Sequence, residues 1–273
     1  MGRLGVFLAG AVFCLLLCAG CERLPLMEDD LTAARQAVRE HNWPLAERLL
    51  ERVLRNEQDA ARRWEAWTQL LEVINAISPE PRTTLEYLEV MRDEFVDDDQ
   101  RSKHVLEQMG HLAEQLHLFE RAAEIWNAYT GLAWLDSEAM VQGHRRLAAM
   151  QFRQRLFEAM EDTLQQCLAL PLPEEHKIMC MYDLAEQNVA RLRWQEAVDL
   201  CQQMLESLGR EGGNDSDGKG LLRGQILFLS GDALEQLGRR EEALRQFELA
   251  RETYPNPAVV DNRIAHLRTN KKK

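Results

Sequence analysis

Six positions, each one turn into a run of helical pattern, recur at almost constant spacing. They are Ala46, Thr84, Ala122, Ala159, Ala197 and Ala243, separated by 38, 38, 37, 38 and 46 residues. A period in this range constrains the fold more than any other feature of the chain. One helix pair cannot bury its own apolar face, so successive pairs must stack. The helical reading rests on periodicity from about Met27 onward. Ala197, Leu200, Cys201, Met204, Leu205 and Leu208 fall on one face of a helix, as do Ala243, Phe247, Ala250 and Tyr254. Pro79, Pro81, Pro171, Pro173, Pro255 and Pro257 stand where that pattern breaks. Alternating patterns flanked by turn signals are absent from the sequence, which predicts an all-α chain. The long final spacing is accounted for by Gly209–Gly220, a run rich in Gly, Asp and Ser that reads as a solvated loop.

The residues at fixed offsets then carry a resemblance. In Gly224–Pro257 a bulky Leu227, a small Gly231, Leu234, the turn residue Gly238, a second small residue Ala243, the core residues Phe247 and Ala250, and a terminating Pro255 stand in order. This segment resembles a tetratricopeptide repeat. Earlier segments are more degenerate. Ile178–Glu211 keeps Leu184, Ala185, Trp194, Ala197 and Cys201; Lys103–Leu135 keeps Leu106, Met109, Gly110, Phe119, Ala122 and Trp126. Met140–Pro171 keeps Phe157 and Ala159 but has Leu147 where a small residue is expected. Glu65–Asp98 has Glu72 there and Thr84 for the Ala, and Met27–Asn56 keeps Ala34, Trp43, Ala46 and Leu50. The resemblance implies a right-handed α-solenoid over residues 21–257, with antiparallel pairs near 27–56, 65–98, 103–135, 140–171, 178–211 and 224–257. Residues 258–273 would supply a capping helix, with Val259, Val260, Ile264 and Leu267 shielding the last pair, and a basic tail.

The first twenty residues read as a signal peptide: a basic start at Arg3, an uncharged apolar run Leu4–Leu17, and small residues before Cys21. Leu17-Cys18-Ala19-Gly20-Cys21 resembles the lipobox of bacterial lipoproteins, with Cys18 where that family has Leu. The resemblance makes Cys21 the lipidated first residue of the mature chain. The alternative is an uncleaved anchor, since the seventeen residues Leu4–Gly20 are near the lower limit for spanning a bilayer. Glu22 is not the Asp that marks inner-membrane retention in enteric bacteria, so an outer-membrane site facing the periplasm is expected. Two or more acyl chains would hold the protein firmly.

Cys167, Cys180 and Cys201 then remain, an odd number that rules out a complete disulfide framework. They read first as small buried hydrophobes. If an oxidising compartment allows one bridge, Cys167–Cys180 is the expected pair, because their helices are sequential neighbours.

A formal charge of −12 makes the chain a poor ligand for polyanions, so nucleic acid is not an expected partner. Gly213–Gly220 lacks the Ser or Thr that must follow the Lys of a phosphate loop, and Gly213 and Gly224 stand where a calcium loop needs acids. His104, His111, His117 and His144 lack the i, i+4 spacing of a helical metal site. No enzyme, metal or cofactor is expected.

In repeats of this kind the first helix of each pair lines a concave groove. Transferring those positions predicts a groove of His104, Glu107, His111 and Glu114; then His144, Gln151 and Phe152; then Met179, Tyr182 and Glu186; then Gln225, Phe228, Asp232 and Glu235. Phe152, Tyr182 and Phe228 are each equally open to packing between repeats. The set is acidic and aromatic with almost no cations, which implies a partner segment carrying apolar anchors and Arg or Lys. The expected function is an envelope lipoprotein that scaffolds other proteins. The alternative is a self-associating structural or transport accessory without a peptide groove.

Overall fold

The computed structural model describes residues 29–210 and 219–269. The signal peptide, Cys21, most of the Gly209–Gly220 loop and the tail Lys271–Lys273 lie outside the described residues. Among the described residues there are thirteen helices and no strand. They are α1 (Asp30–Arg39), α2 (Trp43–Asn56), α3 (Ala60–Ile77), α4 (Pro81–Glu94), α5 (Asp99–Gln115), α6 (Phe119–Thr130) and α7 (Ser137–Arg153). Then follow α8 (Phe157–Ala169), α9 (Glu174–Ala190), α10 (Trp194–Arg210), α11 (Lys219–Gln236), α12 (Arg240–Ala250) and α13 (Pro257–Thr269). None is long and apolar enough to cross a membrane. Two boundaries differ from the sequence reading. The third helix starts at Ala60, capped by Asp59, not at Glu65, and Gly209 and Gly220 are helical instead of looped.

Where the repeat pattern suggests one solenoid, the chain forms two compact units, dividing within α4 after Tyr87. In the first unit, α1 packs on α2 and both pack on α3. Leu31, Ala34, Leu50, Ala66, Leu70 and Val73 are buried there. Arg35 of α1 makes a bidentate pair with Glu65 of α3, at 2.5 and 2.7 Å. Thr84, the departure from Ala in the second pair, donates its hydroxyl to Asn75 Oδ1 at 2.6 Å, so its burial leaves no orphaned donor.

In the second unit successive helices pack as antiparallel pairs, and the first helices of neighbouring pairs also meet, α7 with α9 and α9 with α11. Two first helices, α5 and α7, start with acidic caps: Asp98 accepts from Arg101 N at 3.0 Å, and Asp136 from Ala139 N at 2.8 Å. Close approach is permitted by glycine. A Cβ on Gly110 would meet the Trp126 ring at 2.6 Å, one on Gly143 would meet Tyr129 at 2.8 Å, and one on Gly231 would meet Phe247 at 2.7 Å. Val260, Ile264 and Leu267 of α13 are buried against Ala243 and Phe247, closing the last pair.

The turn between the two helices of a pair is the same five times over. His41, His117, Arg155, Leu192 and Gly238 occupy the left-handed region, with φ between 56° and 74°. In each case the next amide donates to the carbonyl five residues back: Asn42 to Ala37, Leu118 to Ala113, Leu156 to Gln151, Arg193 to Asn188 and Arg239 to Leu234, at 2.8–2.9 Å. This is the Schellman closure of a helix, which favours glycine at the left-handed position. Four of the five turns carry a side chain there instead. Leu192 is 70% exposed, so its side chain returns little burial. A left-handed non-glycine residue costs about 1–2 kcal/mol, and glycine loses about 0.5–1 kcal/mol more chain entropy. Leu192→Gly is therefore expected to stabilise the protein by about 0.5–1 kcal/mol, read as a higher urea midpoint at unchanged slope. A lower midpoint would show that the Leu192 side chain contributes to the fold.

The cysteines depart from the favoured reading. Cys167 of α8 and Cys180 of α9 form a disulfide across 6.5 Å between Cα atoms. The two helices pack against each other, and both cysteines lie in one apolar cluster with Val141, Met160, Leu164 and Leu184. Cys201 is free and buried, and burial pushes its thiol pKa up to about 12. It has little thiolate with which to attack the bridge.

Candidate interaction groove

A cavity of about 740 Å³ opens between α7 and α9. Glu138, Gln142, Arg145 and Ala149 line it from α7, a stripe at i, i+4, i+7 and i+11 that spans three turns, roughly 16 Å. His176, Met179, Asp183, Glu186 and Gln187 line it from α9, and Met160 and Leu164 of α8 form its floor. The space exists because α7 carries Ala148 and Ala149 where larger side chains would fill it. The floor belongs to the cluster that contains the disulfide, which fixes α8 against α9 beneath the cavity.

The electrostatics follow a rule along the stack. Arg145 donates to both oxygens of Asp183 at 2.5 and 2.9 Å, tying the walls together across the cavity. Arg146 donates to Glu114 of α5 at 3.0 Å, and Glu114 also accepts from Trp126 Nε1 at 2.7 Å. Arg191 and Arg193 converge on Glu161 of α8. Arg263 of α13 pairs with Asp232 and approaches Glu235 at 3.4 Å, with His266 at 3.3 Å from the same Glu235. Neighbouring repeats are thus joined by Arg–carboxylate pairs. Glu138 makes no ion pair among the described residues, and Glu186 makes none at ion-pair distance, although Arg145 attracts it across the cavity and the Tyr182 hydroxyl donates to it. Burial raises the pKa of Glu186 against the opposing hydrogen bond from the Tyr182 hydroxyl, although the residue keeps exposed surface. A cation placed beside it would favour its charged form.

The residues expected to form the groove divide. Glu186 and Met179 line the cavity. His144 does not: it is buried, and its Nδ1 lies 2.8 Å from the Met140 carbonyl, which it satisfies as a donor one turn back. Tyr182 packs, half-buried, on the cluster of Ile178, Ala185 and Cys201, and burial raises its hydroxyl pKa. Phe152 packs on the Met160 cluster and on Phe157, and Gln151 accepts from Thr163 at 2.9 Å. Phe228 stacks on Tyr254 at 4.4 Å and meets Phe247 edge-on. All three aromatics therefore pack against apolar core clusters and none lines the cavity. Asp232 and Glu235 are engaged by α13, and burial raises the Asp232 pKa against the pull of Arg263. On α5, His104 is exposed and bonded to Gln108, His111 is exposed and edge-on to the Trp126 ring, and Glu107 is half-buried. None of the α5 or α11 residues reaches the cavity. The expectation of a surface with almost no cations is also corrected, because Arg145 and Arg146 both line it.

The sequence reading missed Glu138, Gln142, Arg145, Ala149 and Asp183. A signal for them was present: Arg145 and Asp183 carry opposite charges one repeat, 38 residues, apart.

No family model matches the chain, and no curated protein matches it in sequence. Solved structures do resemble it. RapI in its apo form superposes with a TM-score of 0.61 at 11% identity, over 89% of this chain and 71% of that one. The nearly identical TPR-like repeats of a Podosopora anserina protein described as a kinesin light chain superpose at 0.54 and 17% identity, over 72% and 97%. YrrB, described as a TPR protein with an unusual peptide-binding site, superposes at 0.51 and 12% identity, over 78% and 95%. The fold is thus a tetratricopeptide-like helical repeat.

Proposed function

We propose that this chain is a lipid-anchored interaction scaffold of a bacterial cell envelope, which holds a cationic, partly apolar segment of a partner protein between α7 and α9. The observation that carries the reading is the cavity itself. It is long enough for an extended stretch of about five residues at 3.3 Å each. It offers apolar surface from Met179, Met160 and Leu164, and two carboxylates, Glu138 and Glu186, that stand outside the Arg–carboxylate pairs joining the repeats. Such a site suits Arg or Lys flanked by small apolar side chains. The peptide site named in the description of YrrB supports the same use of the fold.

The lipobox-like Leu17–Cys21 favours a lipid tether at Cys21, and the Cys167–Cys180 bridge favours an oxidising compartment such as the periplasm. Glu22 after the lipidated Cys favours the outer membrane. Confinement to a surface raises the effective concentration of the cavity for membrane-bound partners, so a modest intrinsic affinity suffices.

The test plugs the cavity. Ala149 is exposed on the α7 wall, so Ala149→Arg should leave the melting curve unchanged while filling the space. Tagged wild-type protein from its host should enrich specific envelope proteins, and the variant should lose them. An unchanged set of companions would overturn the cavity as the binding site. Cys21→Ala should move the protein from the membrane to the soluble fraction; retention on membranes would replace the lipid tether by an uncleaved anchor.

A further inference from the structure

The two carboxylates that stand outside the inter-repeat ion pairs lie at opposite ends of the cavity. Successive helices are antiparallel, so α7 and α9 run in the same direction, and the Arg145–Asp183 pair ties them at one level. Glu138 comes seven residues before Arg145, and Glu186 three residues after Asp183. At 1.5 Å of rise per residue the two carboxylates are offset by roughly 15 Å along the groove. Charge between them is already balanced. Asp183 holds Arg145, and Arg146 is held by Glu114 of α5. Met160, Leu164 and Met179 supply apolar surface over the same stretch. Glu138 is exposed and makes no ion pair among the described residues. Arg145 attracts Glu186 without reaching ion-pair distance, and the Tyr182 hydroxyl donates to it. The groove therefore has an anionic group near each end and a charge-balanced, partly apolar middle.

We infer that the extended partner segment carries two basic side chains four residues apart, one for Glu138 and one for Glu186, with apolar residues between them. The inference rests on the proposed groove and adds its recognition rule, a spacing. Successive side chains of an extended chain point to opposite faces, so only an even separation brings two of them to the same surface. A separation of four spans about 13 Å at 3.3 Å per residue, and the length of an Arg or Lys side chain covers the remainder. A separation of two spans only about 7 Å and leaves one carboxylate unmatched. Matching opposite charges at both ends fixes the register of the segment more than it adds affinity. A polyamine carries similarly spaced charges. Its thin aliphatic chain would leave much of the cavity of about 740 Å³, and of its apolar surface, uncovered, whereas the side chains of a protein segment cover both.

The experiment uses the full-length chain in detergent at pH 8 and three fluorescein-labelled nonapeptides of identical composition, each with two Arg among Ala, Val and Ser. The two Arg are adjacent in the first peptide, two apart in the second and four apart in the third. Fluorescence anisotropy should show the third binding about fivefold more tightly than the other two, the ratio that one further exposed ion pair supplies at most. Glu138→Gln and Glu186→Gln should each bring that ratio close to one. Both residues keep exposed surface, so both variants should melt as the wild type does. Equal affinity for the three peptides, tightest binding at another spacing, or a ratio that survives either substitution overturns the spacing rule and leaves the groove standing. Failure of all three to bind, or binding unchanged by Ala149→Arg, overturns the groove reading itself. Spermine that displaces the third peptide at concentrations below that peptide's own Kd would assign the cavity to a polyamine and would also overturn the inference.

Discussion

Replacing Gly224 by alanine, the smallest possible change, is expected to destabilise the protein by about 2–3 kcal/mol. The Cβ would lie 2.6 Å from the Thr253 carbonyl carbon, 2.7 Å from Tyr254 N and 2.8 Å from the Thr253 oxygen. These are backbone atoms just past α12, which cannot turn aside as a side chain can. The two helices of the last pair must separate, and the aromatic stack of Phe228 on Tyr254 opens with them. Alanine should otherwise gain nearly 1 kcal/mol over glycine inside a helix. Gly209→Ala isolates that gain, because nothing lies within 4 Å of a Cβ there. Urea midpoints should therefore move in opposite directions for the two substitutions. Gly231→Leu, directed into Phe247, should follow Gly224→Ala downward by about 1–3 kcal/mol. Coincident curves for Gly224→Ala and Gly209→Ala would contradict the close packing of α11 on the end of α12.

Removal of the disulfide should be comparable in size. Cys167 and Cys180 are 13 residues apart, and a loop of that length is worth about 3 kcal/mol of unfolded-state entropy in the chain-entropy account. Cys167→Ala with Cys180→Ala should lower stability by about that amount, and dithiothreitol should reproduce the loss in the wild type only. Because the bridge underlies the cavity floor, the reduced protein should also lose affinity for any segment held between α7 and α9. Two titratable thiols at positions 167 and 180 in protein isolated without reductant would contradict the bridge and restore the reading of all three cysteines as buried hydrophobes.

The fold was readable because a repeat states its packing many times. Ala46, Ala122, Ala197 and Ala243 are all fully buried, and small residues at close-packed positions are a signal that averages over imperfect copies. The groove had no such redundancy. Transferring groove positions from the best repeat to the poorer ones presumes one register. On α7 it selected His144, Gln151 and Phe152, whereas the exposed wall is Glu138, Gln142, Arg145 and Ala149. The aromatics misled for a physical reason: an intermediate-sized apolar ring at a repeat boundary buries more surface between helices than in a solvated groove. The carboxylates Glu114 and Asp232 misled because their arginine partners lie 32 and 31 residues away. Opposite charges at one-repeat spacing neutralise each other, and only a carboxylate without such a partner, Glu138 or Glu186, remains for a ligand. The left-handed turns were legible at Gly238 alone, since Arg155 and Leu192 rarely take a positive φ, and His41 and His117, though of a type enriched there, still take a negative φ far more often.

The central claim is that partners enter between first helices. A scan with a photo-activatable residue in the native host tests it most directly: Gln142, Met179 and Gln187 on the cavity walls, against Glu158, Gln202 and Glu248 on exposed faces of second helices. The account expects adducts to the same envelope protein from the three wall positions and none from the other three. Adducts arising chiefly from α8, α10 and α12, or from the wall positions only to further copies of this chain, would contradict it.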